Sequence, residues 1–220
     1  MKKVLIIVCL LVASKLAKSQ NMNWALMNDS LNQSVEATLS LDYGITYGVG
    51  YNYVFNTMFP LALHGDVSIP SGENLLDDYK IKTGAVLRLT QIGDVYVDAG
   101  LMGITRSYNS DFVRIFNFGS EANLNIGYYR KHWYIGANIS YDKAIVSNFK
   151  HTDDYKNNFP EVVDGWYEPE SGGNIKFGGK VGGNFGKNGI VLQAGLVKTE
   201  ELNSSPLIPF YASLGYTYNW

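Results

Sequence analysis

The residues best suited to chemistry sit in "LHGDVS", where His64, Asp66 and Ser68 alternate along a stretch that reads as extended chain. Alternation puts all three side chains on one face. An imidazole beside a carboxylate and a hydroxyl has the residue types of a hydrolase. On one strand, however, the three span about 13 Å and cannot all meet. No partner motif occurs elsewhere, so the spacing points away from an enzyme. His132 falls in a short turn and His151 in a long loop, neither with metal-ligating company at a suitable spacing, and neither a metal nor a cofactor is assigned.

A second candidate is the stretch from Val146 to Gly173, "VSNFKHTDDYKNNFPEVVDGWYEPESGG". It gathers Asp153, Asp154, Asp164 and Glu168 beside Trp166 and Tyr167, with only Lys150 and Lys156 to balance the acids. Aromatics next to carboxylates suit sugar stacking, calcium or a protein partner. A solvated loop whose acids hold divalent cations bridging lipopolysaccharide fits the same composition. The acids lack the spacing of an EF-hand.

What must position these groups is chain in the extended form. From Val35 to Phe55 the odd positions are apolar, while the even ones carry Glu36, Thr38, Ser40, Asp42 and Thr46 among glycines. Period two gives a strand one apolar and one polar face. The pattern returns in eight later sets, the first at Phe59–Ile69 and the last at Phe210–Trp220. Runs of about ten residues match a tilted strand crossing a bilayer. The 16 tyrosines and 23 glycines fit strands and turns better than helices.

Short connections at Asn56–Met58, Ile92–Asp94, Arg130–His132 and Lys187–Asn188 alternate with long polar ones at Ser71–Asp78, Ser107–Asp111, Val146–Gly173 and Thr199–Pro209. One rim is trimmed and the other decorated, the asymmetry of a transmembrane barrel. Even strand number requires the long run at Val35–Phe55 to bend near Asp42–Gly44. The expectation is an all-β, antiparallel transmembrane β-barrel over residues 35–220, of about ten strands, eight being the alternative, with short periplasmic turns and long external loops. Tyr51, Tyr53, Phe55, Tyr128, Tyr129, Trp133 and Tyr134 then fall at one rim as an aromatic girdle. A soluble sandwich would show the same alternation, but its polar faces would not need so many charges.

On the barrel reading the lumen receives Glu36, Asp42, Asp66, Asp98, Glu121 and Asp142, and also Lys80, Lys82, Arg88, Arg106, Lys176 and Lys180. Acids and bases balance, and charges in a narrow lumen must be paired or hydrated. A structural ion-pair network that fills the barrel is expected, and a narrow, weakly selective pore is the sharper alternative. Gly48, Gly50, Gly178 and Gly182 face the same way and would leave local space.

The opening residues, two lysines followed by an apolar run from Val4 to Ala13 and then Ala17 and Ser19, read as a signal peptide over 1–19. Residues 20–34 are then expected as a periplasmic segment. Cys9 is the only cysteine, so the exported chain would have none to pair. Cleavage takes four of 18 basic residues and leaves 20 acidic ones, a net charge of −6 that argues against a nucleic-acid partner.

The stretch "LGYTYNW" places Leu214, Tyr216 and Tyr218 at every second position before Trp220. This resembles the C-terminal signature of bacterial outer-membrane β-barrels. The resemblance implies a Gram-negative outer membrane, contact with lipid and lipopolysaccharide, and recognition of these residues by the barrel-assembly machinery. It implies no catalytic residue. The expected function is a largely plugged barrel working through its external loops in binding, adhesion or envelope integrity, with an extracellular ligand or protein at 146–173. A porin-like diffusion channel is the alternative.

Overall fold

The computed structural model describes residues 22–27, 30–42, 44–72, 78–169, 173–202 and 204–220. The expected signal peptide lies outside them. Among the described residues the strands are β1 (Gln33–Leu41), β2 (Ile45–Phe55), β3 (Leu61–Pro70), β4 (Tyr79–Ile92), β5 (Val95–Asn109), β6 (Val113–Tyr129), β7 (Trp133–His151), β8 (Gly165–Tyr167), β9 (Gly173–Phe185), β10 (Asn188–Thr199) and β11 (Phe210–Asn219), with one short helix, α1 (Asp153–Asn158). Each of β1–β7 pairs antiparallel with the next, β7 with β9, β9 with β10, β10 with β11, and β11 with β1. Ten strands therefore close on themselves, and β8 adds to the far end of β7 through Ser147–Phe149. Closure leaves no open sheet edge, the condition for a sheet to sit in lipid.

The turn that the strand count requires is present, with β1 ending at Leu41 and β2 starting at Ile45. At the opposite rim β4–β5 and β9–β10 are joined by two-residue turns. Gly93 and Gly186 take positive φ there, 61° and 64°, which a tight hairpin turn requires and glycine accepts without steric cost.

The amphipathicity is inverted relative to a soluble protein. Leu39, Leu63, Leu101, Leu124, Ile135, Leu192 and Leu214 are exposed on the outer wall, while His64, Lys80, Asp98, Glu121, Asp142 and Lys180 are buried inside. An apolar belt around a polar interior is the pattern of a barrel whose solvent is lipid.

Several details depart from the alternation. The pairing of β4 with β5 shifts between Arg88 and Thr90, leaving Leu89 as an extra residue. A second shift lies between Phe118 and Gly119, where Ile145 of β7 is extra. Each bulge exchanges inward and outward positions beyond it. β5 runs to Asn109, so the connection expected to be long at Ser107–Asp111 is only residues 110–112. β7 likewise continues to His151, and the stretch expected to be a loop from Val146 contains the end of a strand, α1 and β8. The space expected beside Gly182 is filled: a Cβ there would collide with the Tyr134 ring.

Residues 22–27, from the segment 20–34 expected in the periplasm, lie inside the barrel, while Gln33 and Ser34 begin β1. Met22, Trp24, Leu26 and Met27 are buried, and Met22, Trp24 and Met27 pack with the inward-facing Val54, Ala62, Val86, Tyr96, Tyr129, Tyr134 and Val191. Two backbone contacts form the turn that inserts them: Ala25 N–H donates to Asn23 Oδ1 (3.0 Å) and Leu26 N–H to the Asn23 carbonyl (3.0 Å). Burial of a tryptophan and two methionines explains the position, since such side chains gain more from a dry pocket than from water. It also moves Tyr129 and Tyr134 out of the expected girdle; they stack on each other inside, with centroids 5.3 Å apart.

Candidate functional site

Alternate side chains of the ten strands fill the lumen. Toward the long-loop end, Lys80 of β4, Arg106 of β5, Asp142 of β7, Lys176 of β9 and Asp42 from the β1–β2 turn meet in one row. Lys176 Nζ is 2.5 Å from Asp42, Lys80 Nζ is 3.4 Å from Asp42 and 3.9 Å from Asp142, and Arg106 Nη2 is 2.5 Å from Asp142. Cation and anion alternate along the row, so each carboxylate serves two partners. Arg106 also donates from Nη1 to Asn117 (3.1 Å). Charges withdrawn from water are tolerated on these terms, with Coulomb attraction and hydrogen bonds offsetting lost hydration.

Deeper in, Lys82 of β4 pairs with Glu121 of β6 at 2.8 Å, reaching past β5. His64 holds Asp66 through Nε2 (2.9 Å) and Asn52 Oδ1 through Nδ1 (2.9 Å), and Asn52 Nδ2 donates to Ser34 (3.1 Å). Both ring nitrogens are thus engaged. Ser68 lines the cavity above. The His–Asp–Ser constellation is split, as the spacing along one strand required, and His64 acts as a pin between β2 and β3.

Nearest the short-turn end, Arg88 and Asp98 are direct cross-strand partners. They are not simply an ion pair. The Asp98 carboxylate, 2 % exposed, accepts from Trp24 Nε1 (2.8 Å) and Asn125 Nδ2 (2.6 Å). The Arg88 guanidinium lies 5.8 Å from the Trp24 ring centroid and 5.7 Å from that of Tyr96. Glu36 and Lys180 are buried, and Lys180 Nζ stands over the Tyr129 ring.

Among the described residues, three chambers follow one another along the lumen. A vestibule of about 750 Å³ opens between the long loops, floored by the Lys176–Asp42–Lys80–Asp142–Arg106 row and walled by Tyr108, Phe149 and Ile208. Below it is a chamber of about 160 Å³ lined by Glu36, Asp66, Lys82 and Glu121, and Asp42, Lys80 and Lys176 line both. The innermost holds about 60 Å³ between Asp98, Asn125, Lys180, Met22 and Trp24. The partitions are an ionic row, a polar constriction at Glu121 and Gln193, and the inserted segment.

The 146–173 residues split between two faces of an upright hairpin. Trp166 stacks on Phe118, with centroids 6.0 Å apart and planes at 13°, and so joins the outward row of β6. Tyr167 meets Phe149 on the inner face (5.8 Å), and His151 stacks on Tyr155 (5.3 Å). Asp164 is used internally, bonded to Lys156 Nζ (2.6 Å), the His151 backbone N–H (2.8 Å) and the His151 ring (3.0 Å). The Lys156 ammonium, then the His151 bonds, hold its carboxyl well below the usual carboxylate range. Asp153 and Asp154 sit in the first turn of α1, where the helix dipole favours acids, and Glu168 follows β8. The aromatic and acidic residues of this stretch therefore do not form one cluster.

At the other rim, Tyr51 and Tyr218 pack beside Trp220, with centroids 6.2 and 5.8 Å from it, and Leu214 and Tyr216 lie outward on the same strand. The feature that alternation could not reveal is the inserted segment. Its only signal in the sequence is "MNWALM", four large apolar side chains in an otherwise polar stretch.

No protein-family model matches the chain, and no curated protein matches it by sequence. Solved structures of similar fold include a KdgM porin (TM-score 0.44, 13 % identity, covering 85 % of this chain and 99 % of that one). A KdgM porin in complex with disordered oligogalacturonate matches with TM-score 0.42 and 12 % identity over the same shares. The N-terminal β-barrel domain of Pseudomonas aeruginosa OprF matches with TM-score 0.37 and 16 % identity, covering 86 % of this chain and 98 % of that one. The likeness is one of barrel architecture.

Proposed function

We propose that the chain is an outer-membrane β-barrel of a Gram-negative envelope, closed at rest, that works at its external face. The observation that carries this reading is the threefold partition of the lumen by the ionic row, the constriction at Glu121 and Gln193, and the segment at 22–27. On this reading the signal peptide is removed on export, the long-loop rim faces outward, and the vestibule with the inner face of the 146–173 hairpin receives an extracellular ligand or protein. The outer belt meets lipid, and Trp166 with Phe118 rests among lipopolysaccharide headgroups, as interfacial tryptophans do. Leu214, Tyr216, Tyr218 and Trp220 are the residues the assembly machinery would read.

Recording from the purified barrel in a planar bilayer tests closure. The expected trace is silent apart from rare, brief steps; a conductance that stays open at rest would overturn it. A narrow diffusion channel is the second reading, favoured by one observation: each of the three chambers is lined by charged side chains and adjoins the next through shared lining residues, so displaced side chains would join them.

A further inference from the structure

We propose that residues 22–27 are a removable gate, and that their withdrawal toward the periplasm turns the closed barrel into a channel for small inorganic ions. The inference rests on the membrane-barrel reading and reconciles its closed and conducting forms as two states of one molecule.

Three observations carry it. The first is how the segment enters. Asn23 Nδ2 donates to the carbonyl of Arg130 (2.8 Å), in the short turn between β6 and β7, and the Asn32 carbonyl accepts from Val54 N–H (2.7 Å) before β1 begins. Both contacts lie at the short-turn rim, so the segment can leave that way without disturbing any strand pairing.

The second is what holds it. Apolar packing of Met22, Trp24 and Met27 is joined by the bond from Trp24 Nε1 to Asp98. These contacts are lost together when the segment moves, which makes the change a discrete step.

The third is what happens to the charges left behind. A stopper bonded to a buried carboxylate would ordinarily be locked, because pulling it out orphans the anion. Here Arg88 faces Asp98 directly across β4 and β5. In the closed state its guanidinium lies over the Trp24 and Tyr96 rings. Once Trp24 leaves, the same guanidinium can turn to its cross-strand carboxylate. The closed state satisfies Asp98 with an indole N–H and Arg88 with an aromatic face; the open state satisfies each with the other. Two arrangements without an unpaired buried charge are what a bistable element needs.

Withdrawal joins the innermost chamber to the periplasm. The remaining partitions are the ionic row and the constriction at Glu121 and Gln193, where Lys80, Arg106 and Lys176 stand against Asp42, Asp142 and Glu121 on flexible stems, so the path passes hydrated inorganic ions of either sign with weak preference and excludes larger solutes.

The test records potassium chloride currents through the full-length barrel in a planar bilayer, comparing wild type, Trp24→Ser, and the double variant Met22→Ser/Met27→Ser. Heat-modifiable gel migration establishes that each is folded. Truncating the buried indole is expected to raise the open fraction by about a hundredfold, and the methionine pair by at least about tenfold, without altering the size of the unitary step. The unitary step being shared is essential, since a gate changes how often the pore opens and leaves its width alone. Silent traces from both folded variants would overturn the gate while leaving the closed barrel intact. Wild type conducting as often as the variants would overturn both. If Trp24→Ser does not fold, the methionine pair decides alone. An independent check introduces Ala62→Cys, a buried wall position in the same cluster as the segment, in a chain whose only native cysteine is Cys9. A membrane-impermeant maleimide supplied from the short-turn side should label it slowly in wild type and at least about tenfold faster with Trp24→Ser. Equal labelling rates would refute withdrawal.

Discussion

Glu121 and Lys82 allow the state of the lumen to be measured as an energy. Their charged atoms are 2.8 Å apart, with the two side chains 5 % and 13 % exposed. At that separation the Coulomb attraction is about 6 kcal/mol for an effective dielectric constant of 20 and about 1.5 kcal/mol in bulk water. Part of the larger figure is offset by lost hydration. Glu121→Gln should therefore destabilise the barrel by about 3 to 5 kcal/mol, because Lys82 keeps its charge and loses its hydrogen-bonded partner, with only the more distant Asp66 and Asp142 left to attract it. The double variant Lys82→Met/Glu121→Leu should lie within about 1 to 2 kcal/mol of wild type, since an apolar pair of similar volume carries no hydration debt. Asp66 remains held by His64 in that variant. Urea unfolding of the barrel reconstituted in lipid vesicles, followed by tryptophan fluorescence, gives the numbers. A cost below about 1 kcal/mol for Glu121→Gln would refute the reasoning, because it would mean that bulk-like water surrounds the pair and that the middle of the lumen is a wet path.

Placing arginine at Leu192, which is 54 % exposed on the outer wall, should cost about 2 to 4 kcal/mol in the same unfolding assay, whereas arginine at the neighbouring inward position Gln193 should cost clearly less; equal costs would contradict the lipid-facing assignment. Asp164 makes the external hairpin acid-sensitive in a defined direction. Its carboxyl is held below the usual range by Lys156 and His151, so its contribution is complete above the ordinary aspartate value of about 4 and is lost only as pH falls further, through the lowered folded-state value. Limited proteolysis between α1 and β8 should stay slow at neutral pH and accelerate in acid, and Asp164→Asn should be cut quickly at both.

Much of the wall could be read from period two alone. Val35 to Phe55 required a turn at 42–44 to keep an even strand number, and the chain makes it. The lumenal positions of Lys80, Lys82, Glu121 and Asp142 follow from parity within each strand. Parity is blind to an inserted residue, however, and the extra Leu89 and Ile145 shift it without leaving a gap in the apolar pattern. Who pairs with whom across the lumen was not legible either: Lys176 meets Asp42 because closure brings β9 round to the β1–β2 turn, and no local spacing encodes that. Trp24 was the least visible, because burial of six residues inside a cylinder built by the other strands leaves no periodic trace. Trp166 shows the converse difficulty. Its neighbours in sequence are acidic, but a β8 ladder only three residues long turns it away from them and onto Phe118.

The pairing of β1 with β11 has a consequence for how the molecule comes into being. Ser34 lies opposite Asn219, so the joint couples β1 with β11, strands far apart in sequence, and cannot form until β11 has been synthesised. Contacts this remote in sequence form slowly, because the intervening loop must be brought round before any of them stabilises it. The segment bearing Trp24 immediately precedes β1, at the edge of that joint. It is thus available while the cylinder is still open, and it can cover Tyr129, Tyr134 and Val191 before the wall is complete. Closing the joint then does two things in one step: it removes the last free edge and encloses residues 22–27 within the cylinder.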